Sequence, residues 1–380
     1  MKIFDKVYMD NGATSFPKAP NVAEDMAAYI LNNGSNVSRG AYKDSMDASR
    51  VVYETRELLC ELFNFDHPDH VVFTKNVTES LNQVLKGLLT KDDHVIVSSM
   101  EHNAVMRPLH GIGCELTRIQ ADQAGFVNPD KIKEAITDQT KAIVMIHSSN
   151  VCGSINDIES IGKIAHDHQL LFVLDAAQTA GVIELDMKKC HIDALCFTGH
   201  KSLLGPSGIG GFLINPSYVK AMKPLIEGGT GSASEQETQP EHMPDKYESG
   251  TPNIVGIYGL NTSLKYIMNE GIKTIHDKEM KLVEYFFNHF DHKEVRVIGK
   301  RDLENRTAVI SLDFLKKDNA MIAFDLERKY HIATRVGMHC APAAHKSLKT
   351  FPNGTVRVSF SYFNTIEEVQ YLIDALNNLL

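Results

Sequence analysis

The sequence predicts an α/β protein: a large domain on a mainly parallel, seven-stranded sheet, followed by a smaller α+β domain. Three observations predict it. Short apolar runs alternate with amphipathic helical patterns from about residue 70 to 214, the signature of a parallel sheet covered on both faces. A polar stretch over 228–253 then breaks the rhythm. Beyond it the elements are fewer and more widely spaced, and they end in one strongly amphipathic helix.

The elements follow in order. A β-branched and aromatic run at 71–74 is the first strand, and 78–89 has helical spacing. A strand at 95–98, a helix near 104–110, a strand at 115–119 and a helix near 129–137 come next. AIVMI at 142–146 and LLFVL at 170–174 are unbroken apolar strands, separated by a helix at 158–168. Strands at 194–197 and 210–214 complete the seven. The segment 228–253 is rich in Gly, Ser, Pro and charge, and a loop of that length is usually functional or an interface. Helices near 254–271 and 275–290 and strands at 308–314, 332–336 and 356–361 build the smaller part. In the last helix Ile366, Val369, Ile373, Leu376 and Leu380 share one face, and Thr365 with Glu368 forms a capping box.

Composition narrows the function. Hydrophobic residues at 43% and charged residues at 23% are ordinary globular usage, which excludes a disordered or fibrous chain. Lys and Arg number 39 against 48 Asp and Glu, a net charge of −9, with no basic run of five. No nucleic-acid partner is expected. No apolar stretch approaches the roughly eighteen residues of a membrane span, and charge interrupts the amino terminus, unlike a secretory signal. A soluble, cytoplasmic protein is expected. The six cysteines form no CxxC pair and read as reduced thiols. Cys60, Cys152 and Cys196 sit among apolar residues, and Cys190 with His191 is too little for a metal site, so no metal is expected. Cys340, in GMHCAPAAHK, is expected to be exposed on a mobile loop. His339 and His345 beside it read as solvated.

In a parallel sheet, ligands gather beyond the carboxyl ends of the strands. Four of those ends carry polar groups: Thr78, Asn150, Asp175 and the pair His200–Lys201. Asp175 either caps a following helix or serves as a buried carboxylate facing a cation. Lys201 ends an apolar strand ahead of a glycine-rich bend, and a desolvated lysine is a good Schiff-base nucleophile. TKNVTES leads into a helix whose first amides, near Thr78 and Glu79, suit a phosphate, with Thr198 and His200 as added donors. GPSGIGG is neither a Walker A loop nor a dinucleotide fingerprint.

The segments YMDNGATS, FTKNVTESLN, MEHNA, SNVCGSIN, DAAQT, FTGHKSLLGPSGIGG, ESGTPN and RVGMHCAP occur in the order found in one family. Across Tyr8 to Asn364 the chain resembles the cysteine desulfurases and selenocysteine lyases of the class V aminotransferase group. The resemblance implies the aspartate aminotransferase-like fold, with a large domain over 16–255 binding pyridoxal 5'-phosphate (PLP). It assigns 1–15 and 256–380 to a small domain with the cysteine loop and a carboxylate-binding arginine. It implies that Lys201 forms the Schiff base, Asp175 pairs with the pyridinium nitrogen, and His102 stacks on the ring and moves protons. Gln178 would bond the ring oxygen and Asn150 lie beside the ring. Thr78, Glu79, Thr198 and His200 would hold the phosphate, joined by Thr251 from the other subunit of a homodimer with shared sites. Arg357 would clamp the substrate carboxylate, and Cys340 would take the sulfur. Arg335 stays open between substrate contact and support of the cysteine loop.

On this resemblance the expected reaction removes sulfur from L-cysteine, leaving L-alanine and a Cys340 persulfide. Selenocysteine lyase, with L-selenocysteine as substrate, and other class V reactions such as transamination or β-elimination are the alternatives. A non-catalytic coenzyme-binding module is the remote one. The loop is similar to the short RxGxHCAxP type, whose members often depend on a sulfur-acceptor protein. Three positions depart from many relatives: Gly12 replaces an alanine, Ser38 (ahead of Arg39) a histidine, and Met338 a histidine.

Overall fold

The computed structural model describes residues 4–37 and 40–380; Ser38 and Arg39 lie outside the described residues. The chain opens with a short strand, β1 (Val7–Tyr8), and two helices, α1 (Val22–Asn32) and α2 (Lys43–Phe63), that the apolar spacing did not announce. In α2 the buried face of Ala48, Val52, Thr55, Leu59, Cys60 and Phe63 has helical spacing, but charged residues dilute it. The alternation then follows: β2 (Val71–Thr74), α3 (Val77–Leu88), β3 (His94–Ser98), α4 (Asn103–Ile112), β4 (Glu115–Ile119), α5 (Pro129–Glu134), β5 (Thr140–Ile146), α6 (Ile158–Asp167), β6 (Leu171–Asp175), β7 (Ala194–Thr198) and β8 (Gly210–Ile214).

These seven strands make one sheet in the order β2-β8-β7-β6-β5-β3-β4. The pairs among β3, β4, β5, β6 and β7 are parallel, and β8 runs antiparallel to both β2 and β7. Both faces are buried. Ile96, Ile143, Phe172, Leu174, Leu195 and Phe197 pack into one core, while Val95, Val97, Val144, Val173 and Cys196 pack into another. Successive side chains of a strand enter opposite cores, so each strand had to be apolar throughout.

A short α7 (Pro216–Val219) follows β8. The segment 228–253 then runs without helix or strand. Glu248 anchors it to the sheet edge, accepting from Arg56 at 2.7 Å and from the Phe73 amide at 2.6 Å. Next come α8 (Ile254–Glu270), α9 (Ile272–His289), β9 (Val295–Ile298), β10 (Val309–Phe314), α10 (Asn319–Tyr330), β11 (Ile332–Ala333), β12 (Arg335–Gly337), α11 (Pro342–Ser347), β13 (Thr355–Ser359) and α12 (Ile366–Leu379). Ile257, Leu260, Leu264 and Ile267 of α8 belong to the core of the large sheet. A second sheet, antiparallel in the order β12-β13-β10-β9, packs with α9, α10 and α12 around Phe286, Ile310, Leu326, Val356 and Leu372.

Three elements of this part, β9, α10 and α11, went unread in the sequence. The single strand expected at 332–336 is two: β11 pairs with β1, and β12 with β13. The chain changes sheets at Thr334. The capping box of α12 is present, with the Thr365 hydroxyl accepting from the Glu368 amide and the Glu368 carboxylate accepting from the Thr365 amide.

Candidate active site

The parallel strands deliver their carboxyl ends to one edge of the sheet. There the chain places His102 after β3, Asn150 after β5, Asp175 at the end of β6, and Thr198, His200 and Lys201 at and after β7. Asp175 is 2% exposed and accepts from the Ala177 amide at 3.0 Å. The residues after it form a turn, so it caps no helix. Burial raises its pKa, opposed by that hydrogen bond and by the charge of Lys201. Burial brings Lys201 down to about 8, and Asp175 works against that shift. Burial thus leaves a fraction of the Lys201 amine neutral near physiological pH, and Asp175 limits that fraction.

His102 is the N-cap of α4, and its Nδ1 accepts from the Ala104 amide at 3.0 Å. Burial, then the charges of Lys201, Arg107 and Arg357, push it to about 4, so the ring is neutral. Just before it, Glu101 is buried, accepts from the Ser98 hydroxyl and the Ile146 amide, and is raised by burial to about 8. Gln178 donates to the Gly12 carbonyl at 3.0 Å.

The start of α3 corrects one expectation. Asn76 caps the helix and takes the Glu79 amide at 3.1 Å, so that amide is already engaged. The Glu79 carboxylate accepts from the Lys75 amide at 2.6 Å. Thr78 is exposed at the second position of the helix. Thr251 lines a cleft of its own chain with Lys75, Glu79 and Asn253.

Among the described residues, few buried side-chain polar atoms have no partner. They include Thr198 Oγ1, His200 Nδ1, Asn150 Oδ1 and Arg357 Nε. An unsatisfied buried group costs about 1–3 kcal/mol, so such groups are rare and ask for an explanation. Of these four, Thr198, His200 and Asn150 stand at or past the carboxyl ends of β7 and β5, and Arg357 reaches them from β13 through its bond to the Asn150 carbonyl. A hydroxyl, an imidazole and a guanidinium, with an amide oxygen as acceptor, beside an amine of lowered proton affinity and a buried carboxylate fit a phosphorylated aldehyde with a basic ring nitrogen, which is PLP.

The small sheet closes the site. Arg357, on β13, is 2% exposed. It donates to the Asn150 carbonyl at 2.9 Å and to Asp10 at 3.1 Å. Burial lowers its pKa, and Asp10 opposes the shift. Arg335 is half-exposed and donates through Nε to the same Asp10 at 3.1 Å. Asp10 was not singled out in the sequence. The only signal was its place in YMDNGATS, one residue before Asn11.

Cys340 is exposed and the other five cysteines are buried. His339 and Cys340 both hold left-handed backbone, at φ 47° and 57°, a conformation costing on the order of 1 kcal/mol per residue. Two main-chain tethers hold them there. The Asn103 amide donates to the Cys340 carbonyl at 2.8 Å, and the Asn150 side chain donates to the His339 carbonyl at 2.6 Å. His339 and His345 are buried, not solvated as their polar setting suggested. His339 shares a hydrogen bond with Thr355, His345 one with Thr350, and burial pushes them to about 2 and about 4. Pro342 directly follows Ala341, one place earlier than RxGxHCAxP has it, and opens α11. A Cβ on Gly12 would lie 3.2 Å from Cζ of Arg357, so that glycine allows the guanidinium its position.

Over residues 7–372 the chain matches the protein family described as aminotransferase class-V. It is 36% identical to a probable cysteine desulfurase of Pyrococcus abyssi, over 98% of this chain and 94% of that protein. A cysteine desulfurase of Haloferax volcanii is 30% identical, over 98% of this chain and 88% of that one. Among solved structures, the apo form of a cysteine desulfurase from Thermococcus onnurineus superposes with a TM-score of 0.91 at 32% identity. That match covers 100% of this chain and 98% of the other.

Proposed function

The chain belongs to the aminotransferase class-V family, and from that premise we propose that it is a PLP-dependent cysteine desulfurase acting on L-cysteine. The observation that carries the reading is the convergence of an exposed Cys340, a buried Arg357 and the Lys201–Asp175 pair on one edge of the large sheet. Its relatives of known name support the same activity.

In this reading Lys201 would hold the coenzyme covalently, Asp175 would pair with its ring nitrogen, and His102 would stack on its ring. Gln178 and Asn150 would reach its edge, and Thr78, Thr198 and His200 would take its phosphate, with the Thr251 of a second copy. When bound, the coenzyme supplies a sink for negative charge developing on the substrate. Arg357 binds the substrate carboxylate and orients the amino acid. Lys201, its amine freed once the substrate's amino group has taken its place, takes the proton from the α-carbon. Cys340 thiolate attacks the substrate sulfur. The carbon–sulfur bond breaks with its electron pair left on carbon, a proton completes the methyl group of alanine, and the sulfur stays on Cys340 as a persulfide.

The wider proposal is a homodimer in which 228–253 contributes to the other copy's site, and a sulfur-acceptor protein that unloads Cys340. The large coenzyme-binding domain is taken as 16–255, with 1–15 and 256–380 forming the small one. No described helix is long and apolar enough to cross a membrane, and a cytoplasmic setting fits an exposed reactive thiol. The decisive assay supplies L-cysteine, PLP and a reductant and measures alanine and sulfide in equal amounts. No alanine from wild-type protein loaded with coenzyme overturns the reading.

A further inference from the structure

Arg335 and Arg357 are register partners across β12 and β13. Like charges directly opposite on a sheet destabilise it. Asp10 resolves the conflict: its Oδ1 accepts from Nη2 of Arg357 and its Oδ2 from Nε of Arg335, each at 3.1 Å. Asp10 is 9% exposed and is held by the turn after β1, where it bridges to Ser359 of β13. One carboxylate therefore serves two guanidiniums, one buried and one half-exposed.

Each guanidinium also leads to the cysteine loop. Arg335 lies on β12, an edge strand with β13 as its one neighbour, which ends at Gly337 just before Met338, His339 and Cys340. From the other side, Arg357 donates to the Asn150 carbonyl, and the Asn150 side chain holds the His339 carbonyl.

We propose that Asp10 is a positioning residue that couples anion occupancy at Arg357 to the placement of Cys340. The proposal rests on the reading of Arg357 as the carboxylate-binding residue. A substrate carboxylate at Arg357 brings a second negative charge beside Asp10, which then gives up part of its bond to Arg357 and strengthens the one to Arg335. Arg335 moves with it and takes along the edge strand. The same anion loosens Arg357 from the Asn150 carbonyl, and the Asn150 side chain holds the His339 carbonyl, so both ends of the segment 335–339 respond and the displacement is expressed at Cys340. The anion thus acts on the nucleophile without touching it.

The test measures the alkylation rate of Cys340 by iodoacetamide in the coenzyme-loaded protein, using mass spectrometry. L-Alanine is the probe, at concentrations that saturate the coenzyme's spectral response, and L-alaninamide, which lacks the carboxylate, is its control. In the wild type, L-alanine should change the rate by about fivefold or more, in the range of ordinary coupling between sites, and L-alaninamide by less than about twofold. In Asp10→Asn and in Arg335→Gln the alanine effect should fall below about twofold while the coenzyme spectrum persists. Arg335→Gln alters a half-exposed side chain and decides the matter if Asp10→Asn does not fold. An undiminished alanine effect in the variants overturns the coupling. A wild type that releases alanine from cysteine but shows no alanine effect also overturns it, and leaves the desulfurase reading standing. A carboxylate-dependent effect lost in the variants, in a protein with no cysteine turnover, supports the coupling and refutes the desulfurase reading.

Discussion

Asp175 and Lys201 stand at the ends of the adjacent strands β6 and β7, and each shifts the proton affinity of the other. Burial dominates both, raising the carboxyl and lowering the amine to about 8. Their mutual attraction opposes both shifts. The pair thus holds an amine that is partly neutral at physiological pH.

Coenzyme attachment to the apo-protein should accelerate as pH rises through about 8, because the neutral amine is the attacking form. Asp175→Asn removes the influence that raises the Lys201 pKa, so the midpoint of that profile should move down. Lys201→Ala should give no visible absorbance with PLP and no turnover. Absorbance spectra across the pH series check both, and a yellow, active Lys201→Ala protein would sink the assignment.

Cys340 should alkylate much faster than the other five thiols, which are buried. Burial raises the pKa of Cys60 to about 12 and that of Cys196 well above its ordinary value, so both are poor nucleophiles. Cys340→Ser should lose alanine release from L-cysteine and retain part of it from L-selenocysteine, whose selenium is the better leaving group. Peptide mapping after brief alkylation, with alanine assays on both substrates, tests this. First labelling of any other cysteine together with loss of activity would move the nucleophile.

Gly12→Ala should raise the KM for cysteine with a smaller change in kcat. Its added Cβ meets Cζ of Arg357 at 3.2 Å and Oγ of Ser359 at 3.3 Å, so the guanidinium must yield by a few tenths of an ångström. A shift of that kind is worth roughly 1 kcal/mol, or about fivefold in KM. Steady-state kinetics with an unchanged KM would show that Arg357 does not read the carboxylate from its present position.

His345 is buried and depressed to about 4, so it stays neutral in the folded chain after it has charged in the unfolded one. The unfolded state then binds the extra proton, and stability falls as pH drops from about 6.5 to about 4. His345→Gln should flatten that acid limb by up to about 1.4 kcal/mol per pH unit. Denaturant titrations at several pH values measure the slope, and an unchanged slope refutes the buried neutral state.

Much of the site was legible because it sits where strands stop. Asp175 and Lys201 follow runs too apolar to be anything but buried strands, and a charge at the end of such a run stands out. Arg357 was harder. An arginine inside an alternating strand is usually solvated, yet every residue of β13 is buried, and Arg357 bonds the Asn150 carbonyl of the large domain. Asp10 was invisible for a different reason: its meaning depends on partners some 325 and 347 positions away. His339 and His345 misled because a Gly- and Pro-flanked polar segment resembles a surface loop until α11 folds over it. The helices α1 and α2 escaped notice because charges interrupt their apolar faces.

The two bonds that hold the cysteine loop both grip main-chain carbonyls, those of His339 and Cys340. Neither depends on what the Cys340 sulfur carries. Thiol, thiolate and persulfide can therefore succeed one another at the tip while the mounting beneath stays the same, as a tool holder accepts different bits. Loading and unloading sulfur then need no refolding of the loop, and the pace of the cycle is left to chemistry and to the arrival of whatever takes the sulfur away.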